Sequence, residues 1–323
     1  MKKRLLFSWI IAISFFCLEA GNLTGTTSVY FADSLRAARF IMTNDDYTSR
    51  LSAYDRSAGM NTDKMIDQKT YLNYCAQNVR TWSADEKRRF TSFIDTVSRL
   101  IAPYHLNLPD SILLLKTTSL EMGGVDVAYT RQNGVFVTEP MLNQKNNELR
   151  NTLIHEIFHV LSRENAPLQK ELYRLIGFDE INEIKLPEEW DVRRITNPDA
   201  PKLNTMIRLR VDGGTKSLTP FLFSAQAVYN PKAPGGIFQS INFMLLEIEE
   251  KNGRWAAVIK NDAPVLYAPG SINDFWDKIG RNTQYILHPE EILASNFVLL
   301  ITNRANLPSP WLIEAMRKTL MPR

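Results

Sequence analysis

"NTLIHEIFHVLSREN", residues 151–165, holds two of the chain's four histidines, His155 and His159, with Glu156 between them. The stretch reads as a helix that begins near residue 145 and stops before Pro167. Leu149, Leu153, Ile157 and Val160 recur at three and four residues, the period of one core-facing stripe. Residues four apart stand one above the other on a helix, so His155 and His159 can aim a ring nitrogen at one cation, on a face shared with Thr152. Glu156, one residue round from His155, reaches that point less readily as a ligand and is placed to hold a water and take its proton. Two imidazole ligands and a general base on one turn are the physical content of H-E-x-x-H. The expected cofactor is a single zinc ion, which lowers the pKa of bound water to about 7 and polarises a carbonyl.

Working outward, "SADE" starts a helix upstream, because Ser83 and Glu86 fit a capping box. Behind it Phe90, Phe93, Ile94, Val97, Leu100 and Ile101 repeat with helical period until Pro103. "SILLLKTT", 111–118, reads as a buried strand. "VDVAYTR" and "GVFVTEP" read as a hairpin turning at Asn133-Gly134, with positive φ expected at both turn positions. Beyond a second helix, "LQKELYRLIGF", the pattern becomes β-rich. "NTMIRLRV", "PFLFSAQAVY" and "NFMLLEIEEKNGRWAAVIK" carry turns at Asp212-Gly213-Gly214 and at Asn252-Gly253. Helical signals return at "DFWDKIG", "HPEEILASNFVLLI" and "PWLIEAMRKTL". The order implies an α+β fold. Its expected parts are residues 1–20, an N-terminal region 21–82 with no assigned role, a first catalytic part 83–202, a β-rich insert 203–270 and a helical part 271–323.

Lys2, Lys3 and Arg4 precede the apolar run "LLFSWIIAISFFCL" and then "EAG", the form of a secretory signal peptide cut after Ala20. The run is short for a bilayer, which needs about 20 apolar residues. A secreted or periplasmic protein without stable membrane insertion is therefore expected, with a retained anchor as the alternative. Removal of 1–20 takes Lys+Arg from 38 to 35 and Asp+Glu from 35 to 34, leaving +1 and no electrostatic footprint for nucleic acid. "EKRRF", 86–90, reads as the wet face of a helix. Cys75 is then the single cysteine, read as a buried structural thiol, and His105 as a packed or surface histidine.

"HEIFH" on a helix behind an edge strand resembles the zincin metallopeptidases. The metzincin branch would put glycine at 162 and histidine at 165, where this chain has Ser162 and Asn165. The gluzincin branch takes its third ligand from a later helix in a pattern like Glu-x-x-x-Asp, and "HPEEILASNF" is similar. Pro289 suits a first helical turn, which puts Glu290 and Glu291 in that turn. Glu291 is the preferred third ligand, with Glu290 and His288 as alternatives; both glutamates would also complement the helix dipole. Ser295 stands where the family has an aspartate to orient a ligand imidazole, and Ala294 and Ser295 are small enough for close helix approach. The resemblance implies a polypeptide substrate, an oxyanion donor for which Tyr285 or His288 is the candidate, and an edge strand, taken as "GVFV", that pairs with it. "TNPDAP", 196–201, reads first as a plain rigid turn, with Asp199 reaching the site as the alternative. A zinc hydrolase of a non-peptide or cell-wall amide, and a zinc-braced binding protein without catalysis, are the rival readings.

Overall fold

The computed structural model describes residues 18–233 and 236–321. Most of the expected leader lies outside the described residues. The expected cut after Ala20 falls inside the first strand, β1 (Leu18–Asn22), where Ala20 is buried in the core. β1 pairs antiparallel with β2 (Ser28–Phe31). Three short helices follow: α1 (Ser34–Ile41), α2 (Ala53–Gly59) and α3 (Gln68–Gln77). Then come β3 (Val79–Arg80), the long helix α4 (Ala84–Ile101) and β4 (Ser111–Thr117). β2 runs parallel to β4 and β3 antiparallel to it, so these two strands of the stretch 21–82 join the sheet that holds β4.

The hairpin β5 (Ala128–Arg131) and β6 (Gly134–Thr138) completes a sheet in the order β1-β2-β4-β6-β5, with β3 added to β4. β4 explains its own continuous apolar run. Ile112 and Leu114 face the core shared with α4 and with α5 (Asn146–Glu164), while Leu113 and Leu115 face α1 and α3. A strand covered on both faces needs no polar alternation. Its C-terminal end carries a charge yet is buried: Lys116 pairs at 3.0 Å with Glu86, the capping-box residue of α4.

Two expectations about the hairpin change. β6 is bonded to β4 and to β5, so "GVFV" is an inner strand and the edge is Ala128–Arg131. The turn residues are Gln132 and Asn133, of which Gln132 takes φ 50°, and Gly134 opens β6. Gly134 is required for space instead. A Cβ there would stand 2.7 Å from Phe40 Cε1 and 2.8 Å from Leu115 Cδ1. The wet face expected for 86–90 is also revised. Arg89 donates to the carbonyls of Leu142 and Gln144 and, at 2.7 Å, to Asn146 Oδ1, tying α4 to the start of α5.

After α6 (Ala166–Leu175) the chain builds a second, antiparallel sheet. Its strands are β7 (Phe178–Glu180), β8 (Thr205–Val211), β9 (Gly214–Ser224), β10 (Ile241–Lys251) and β11 (Arg254–Ala257), in the order β11-β10-β9-β8-β7. Short helices α7 (Glu188–Asp191) and α8 (Gly236–Ser240) lie in its loops. β12 (Ile259–Lys260) and β13 (Ala263–Pro264) pair with each other, and β14 (Leu266–Tyr267) joins β10. The expected insert, 203–270, is thus β-rich as read but begins earlier, since β7 belongs to it. Three tight turns in it have positive φ at both positions: Asp212 with Gly213 and Asn252 with Gly253, as read, and Asn261 with Asp262 between β12 and β13.

Helices α9 (Asn273–Ile279), α10 (Pro289–Ile301) and α11 (Pro310–Leu320) close the chain. α10 is apolar nearly all round and buried nearly all round, as such a helix must be. It packs on the second half of α5, which is likewise buried on most sides from Leu153 to Ser162; Phe158 and Phe297 meet with ring centroids 5.4 Å apart. Among the described residues no helix is long and apolar enough to cross a membrane. Cys75 is buried, and burial pushes its thiol up to about 12, consistent with a structural role.

Gly134→Ala is expected to lower stability by about 1–3 kcal/mol through overpacking against Phe40 and Leu115. Urea unfolding reads this as a lower midpoint at unchanged slope; an unchanged midpoint would show that the sheet has room there.

Candidate metal centre

The site forms where α5 and α10 cross. Glu148 accepts from the amide of Lys145 at 3.2 Å and fixes the first turn of α5, and Arg89 holds the segment before it. At the other end His288 is the N-cap of α10, its Nδ1 accepting from the amide of Glu290 at 3.2 Å, and Pro289 occupies the first turn. Glu290 and Glu291 are therefore delivered side by side at the start of a buried helix, each 1% exposed. Two carboxylates taken so far out of water need partners.

Glu291 finds the two imidazoles. Its Oε2 lies 3.1 Å from His155 Nε2 and 3.5 Å from His159 Nε2, and its Oε1 accepts from Asn197 Nδ2 at 2.6 Å. The rings of His155 and His159 stand 4.7 Å apart and nearly perpendicular. Tetrahedral zinc with bonds of about 2.0–2.2 Å separates its ligand atoms by roughly 3.4 Å, which these distances match. The buried Nε2 of His159 has no hydrogen-bond partner. The donor set of His155, His159 and Glu291 thus fits a zinc ion, with unused donor capacity pointing where the ion would sit.

Glu290 plays a different part from the one weighed for it as a ligand. Its Oε1 meets His159 Nδ1 at 3.1 Å, and its Oε2 accepts from Tyr173 at 2.6 Å and Ser162 at 2.8 Å. A carboxylate on the far nitrogen of a ligand imidazole fixes its tautomer and leaves Nε2 free to coordinate. The aspartate role expected at position 295 is filled from position 290, and Ser295 simply lines the cleft. Burial opposes charge on Glu290, yet the hydrogen bonds from His159, Tyr173 and Ser162 hold its carboxyl below its usual range. Burial likewise opposes charge on Glu291, but His159 and His155 outweigh it and hold the carboxyl well below. On His159 burial works against protonation, and the carboxylates of Asp199, Glu291 and Glu290 override it, holding the imidazole well above its ordinary range.

An open cleft of about 370 Å³ is lined by Ala128, His155, Glu156, Asp199, Tyr285 and Glu291. Glu156 is 3% exposed, and its buried Oε2 has no partner. Burial first, and then the carboxylate of Asp199, raise its pKa well above that of an ordinary glutamate. Glu156, His159 and Asp199 themselves bring donor atoms within 4.8 Å of one another. Tyr285 is 45% exposed, with its ring 6.2 Å from that of His155. The Glu291 carboxylate, with those of Asp199 and Glu156, pushes its phenol well above the usual range, so that it stays protonated and able to donate.

His288 does not join the cleft. It is buried against Tyr173, and burial brings its imidazole down to about 4, so it serves as a neutral helix cap rather than as a ligand or an oxyanion donor.

The loop 195–199 was only half visible in the sequence. Asp199 Oδ1 accepts from the amide of Thr130 at 2.7 Å and from its hydroxyl at 2.6 Å, so the loop is pinned to the edge strand beside Glu156. Arg163 clamps the same place, donating to Thr130 Oγ1 at 2.9 Å and to the Asp199 carbonyl. Asn197, which anchors Glu291, had no signal beyond its place in a rigid "NPD" turn. His105, as read, is a surface residue.

Glu291→Ala is expected to abolish tight zinc uptake, whereas Glu290→Gln weakens it about 10–100-fold and Ser295→Ala leaves it intact. Competition with a zinc chelator on the purified chain measures all three; wild-type affinity in Glu291→Ala would remove that residue from the ligand set. Comparison of the chain with protein-family models, with curated proteins and with solved structures returned no match.

Proposed function

We propose that the protein is an exported zinc-dependent peptidase of the zincin type, gluzincin-like in taking a downstream glutamate as third ligand. The observation that carries this reading is the convergence of His155, His159 and Glu291 on one point, with the Glu156 carboxylate in the same open cleft. Zinc held by those three residues would supply Lewis acidity and a water acidic enough to lose a proton near neutral pH.

The chain's own groups account for the rest. Glu156 accepts a proton from the attacking water and passes it to the departing amine, its buried Oε2 being uncommitted to any other hydrogen bond. Tyr285 donates a hydrogen bond to the carbonyl oxygen as negative charge develops there. Glu290 holds His159 in the ligating tautomer. The edge strand favours a peptide over another amide. Thr130 turns its amide outward to Asp199, so by the two-residue alternation Ala128 also turns its amide and carbonyl toward the cleft, where an extended chain can pair with them. The open cleft, in turn, supports catalysis over a zinc that only braces the fold, because a bracing zinc is closed by four protein ligands.

Glu156→Gln is expected to keep stoichiometric zinc and to lower peptide hydrolysis by about 10²–10⁴-fold. Metal analysis beside a mass-spectrometric digest of an unfolded protein reads both quantities. Full hydrolysis by that variant would refute the assigned base, and hydrolysis of amide-linked non-peptides alone would move the substrate class.

A further inference from the structure

A second cavity, of about 120 Å³, opens from the same cleft: Val127, Ala128, Asp199 and Tyr285 line both. Its size approaches that of the roughly 150 Å³ cavity that accommodates benzene, enough for one large side chain and not for a folded segment. The walls are apolar and aromatic, formed by Tyr47, Tyr71, Tyr129, Met122, Ile195 and Leu222. Yet Glu121 is part of that wall, at 1% exposure. Its Oε1 meets the Tyr129 hydroxyl at 3.4 Å, and its buried Oε2 has no hydrogen-bond partner.

Among the described residues no cation is hydrogen-bonded or ion-paired to this carboxyl. Burial raises its pKa, and the groups that work against this are the neutral hydroxyls of Thr117 and Tyr129 and backbone amides. The buried guanidinium of Arg131 is committed elsewhere, to Asp45 at 2.7 Å and to the carbonyls of Ile41 and Thr43. Asp55 lines the same cavity and adds a second acid, its oxygens already satisfied by the amides of Ser52 and Thr196.

The position of Glu121 is built and not incidental. It sits in a single turn, Leu120–Met122, flanked by Ser119 at φ 81° and Gly123 at φ 72°. A non-glycine residue in that region carries a cost of about 1–3 kcal/mol, which the surroundings must hold in place. They do so: the Tyr71 hydroxyl donates to the Glu121 carbonyl at 2.8 Å. Gly59 presses close beneath, where a Cβ would stand 3.0 Å from that carbonyl oxygen. A braced turn that buries an unpaired carboxyl beside a cavity is costly unless the group keeps its proton or a cation entering the cavity supplies the missing charge.

Lysine and arginine have the matching form, an apolar stem that lies along apolar walls and a cationic head that needs an acid. We propose that this cavity receives a lysine or arginine side chain of the substrate, next to the bond cleaved, and that Glu121 selects it. The proposal rests on the peptidase reading for its consequence in cleavage, but not for the binding event.

Two measurements keep these apart. The zinc-loaded enzyme is given otherwise identical quenched peptides carrying lysine, arginine, norleucine or glutamate at each position flanking the cut. At one position kcat/KM for lysine or arginine is expected to exceed norleucine by at least about tenfold, and Glu121→Gln is expected to bring that ratio towards one. Norleucine equal to or better than lysine in the wild type overturns the proposal, even where the variant fails to fold, and so does a preference that survives Glu121→Gln. Independently, butylguanidinium is titrated calorimetrically into the zinc-loaded Glu156→Gln protein, with and without Glu121→Gln. Binding that weakens about tenfold in the double variant supports the assignment; no binding, or equal binding, overturns it. Failure to cleave any peptide would count against the peptidase reading alone, since the guanidinium titration still decides the cavity.

Discussion

The structure turns on two adjacent carboxyl groups that have been taken out of water. Glu290 and Glu291 open a helix that is otherwise apolar and buried, where an unpaired carboxylate costs several kcal/mol. Each is satisfied from α5 and its surroundings: Glu290 by His159, Ser162 and Tyr173, and Glu291 by His155, His159 and Asn197. The polar pairs therefore fix the register in which the two central helices cross. Sliding α10 by one residue would exchange the two carboxyls and break both sets of contacts. A metal site placed there inherits its rigidity from the core and not from a loop.

That arrangement also gives the second sheet a purpose. The amide of Ile195 donates to the carbonyl of Leu222 on β9, and the amide of Thr196 to Asp55 on α2. The loop carrying Asn197 and Asp199 is thus suspended between the two sheets, and its side chains end on Glu291 and on the edge strand. A long interval in sequence between His159 and Glu291 becomes intelligible as the scaffold for this loop. The β-rich part is not an appendage, because it helps to position the carboxylate of the expected third ligand.

Local patterns carried the parts of the fold that depend on local physics. The capping box at Ser83 and Glu86, the turns at Asp212-Gly213 and Asn252-Gly253, and the helices around His155 and Glu291 all lie where their residues put them. What failed to show was order in space. Nothing within "GVFV" says that it lies between β4 and β5, and an inner strand of this sheet reads the same as an edge. Gly134 was assigned to turn geometry because its neighbour is asparagine, whereas its reason is the approach of Phe40 from another element. The same limit explains the site. The spacing of His155, Glu156 and His159 within one helix is legible, but the division of labour between Glu290 and Glu291 depends on which imidazole nitrogen each reaches, a matter of helix crossing.

Under the proposed gluzincin-like reading, serine at position 295 in place of an aspartate has a physical consequence. An aspartate four residues after the ligand would approach the imidazole from the next turn of the same helix. Here the orienting acid precedes the ligand by one residue, and it is shared with Tyr173 and Gln169 from α6 and with Ser162 from α5 itself. α6 is consequently drawn into the site, and position 295 is left small and open on the cleft side. Orientation of the His159 imidazole is thereby moved to the buried side of α10, while Glu156, Tyr285, Asp199 and Ala128 of β5 line the cleft. That separation is incomplete at Asn197, which holds Glu291 and also lines the side cavity, so the lining of that cavity cannot vary there without disturbing the donor set.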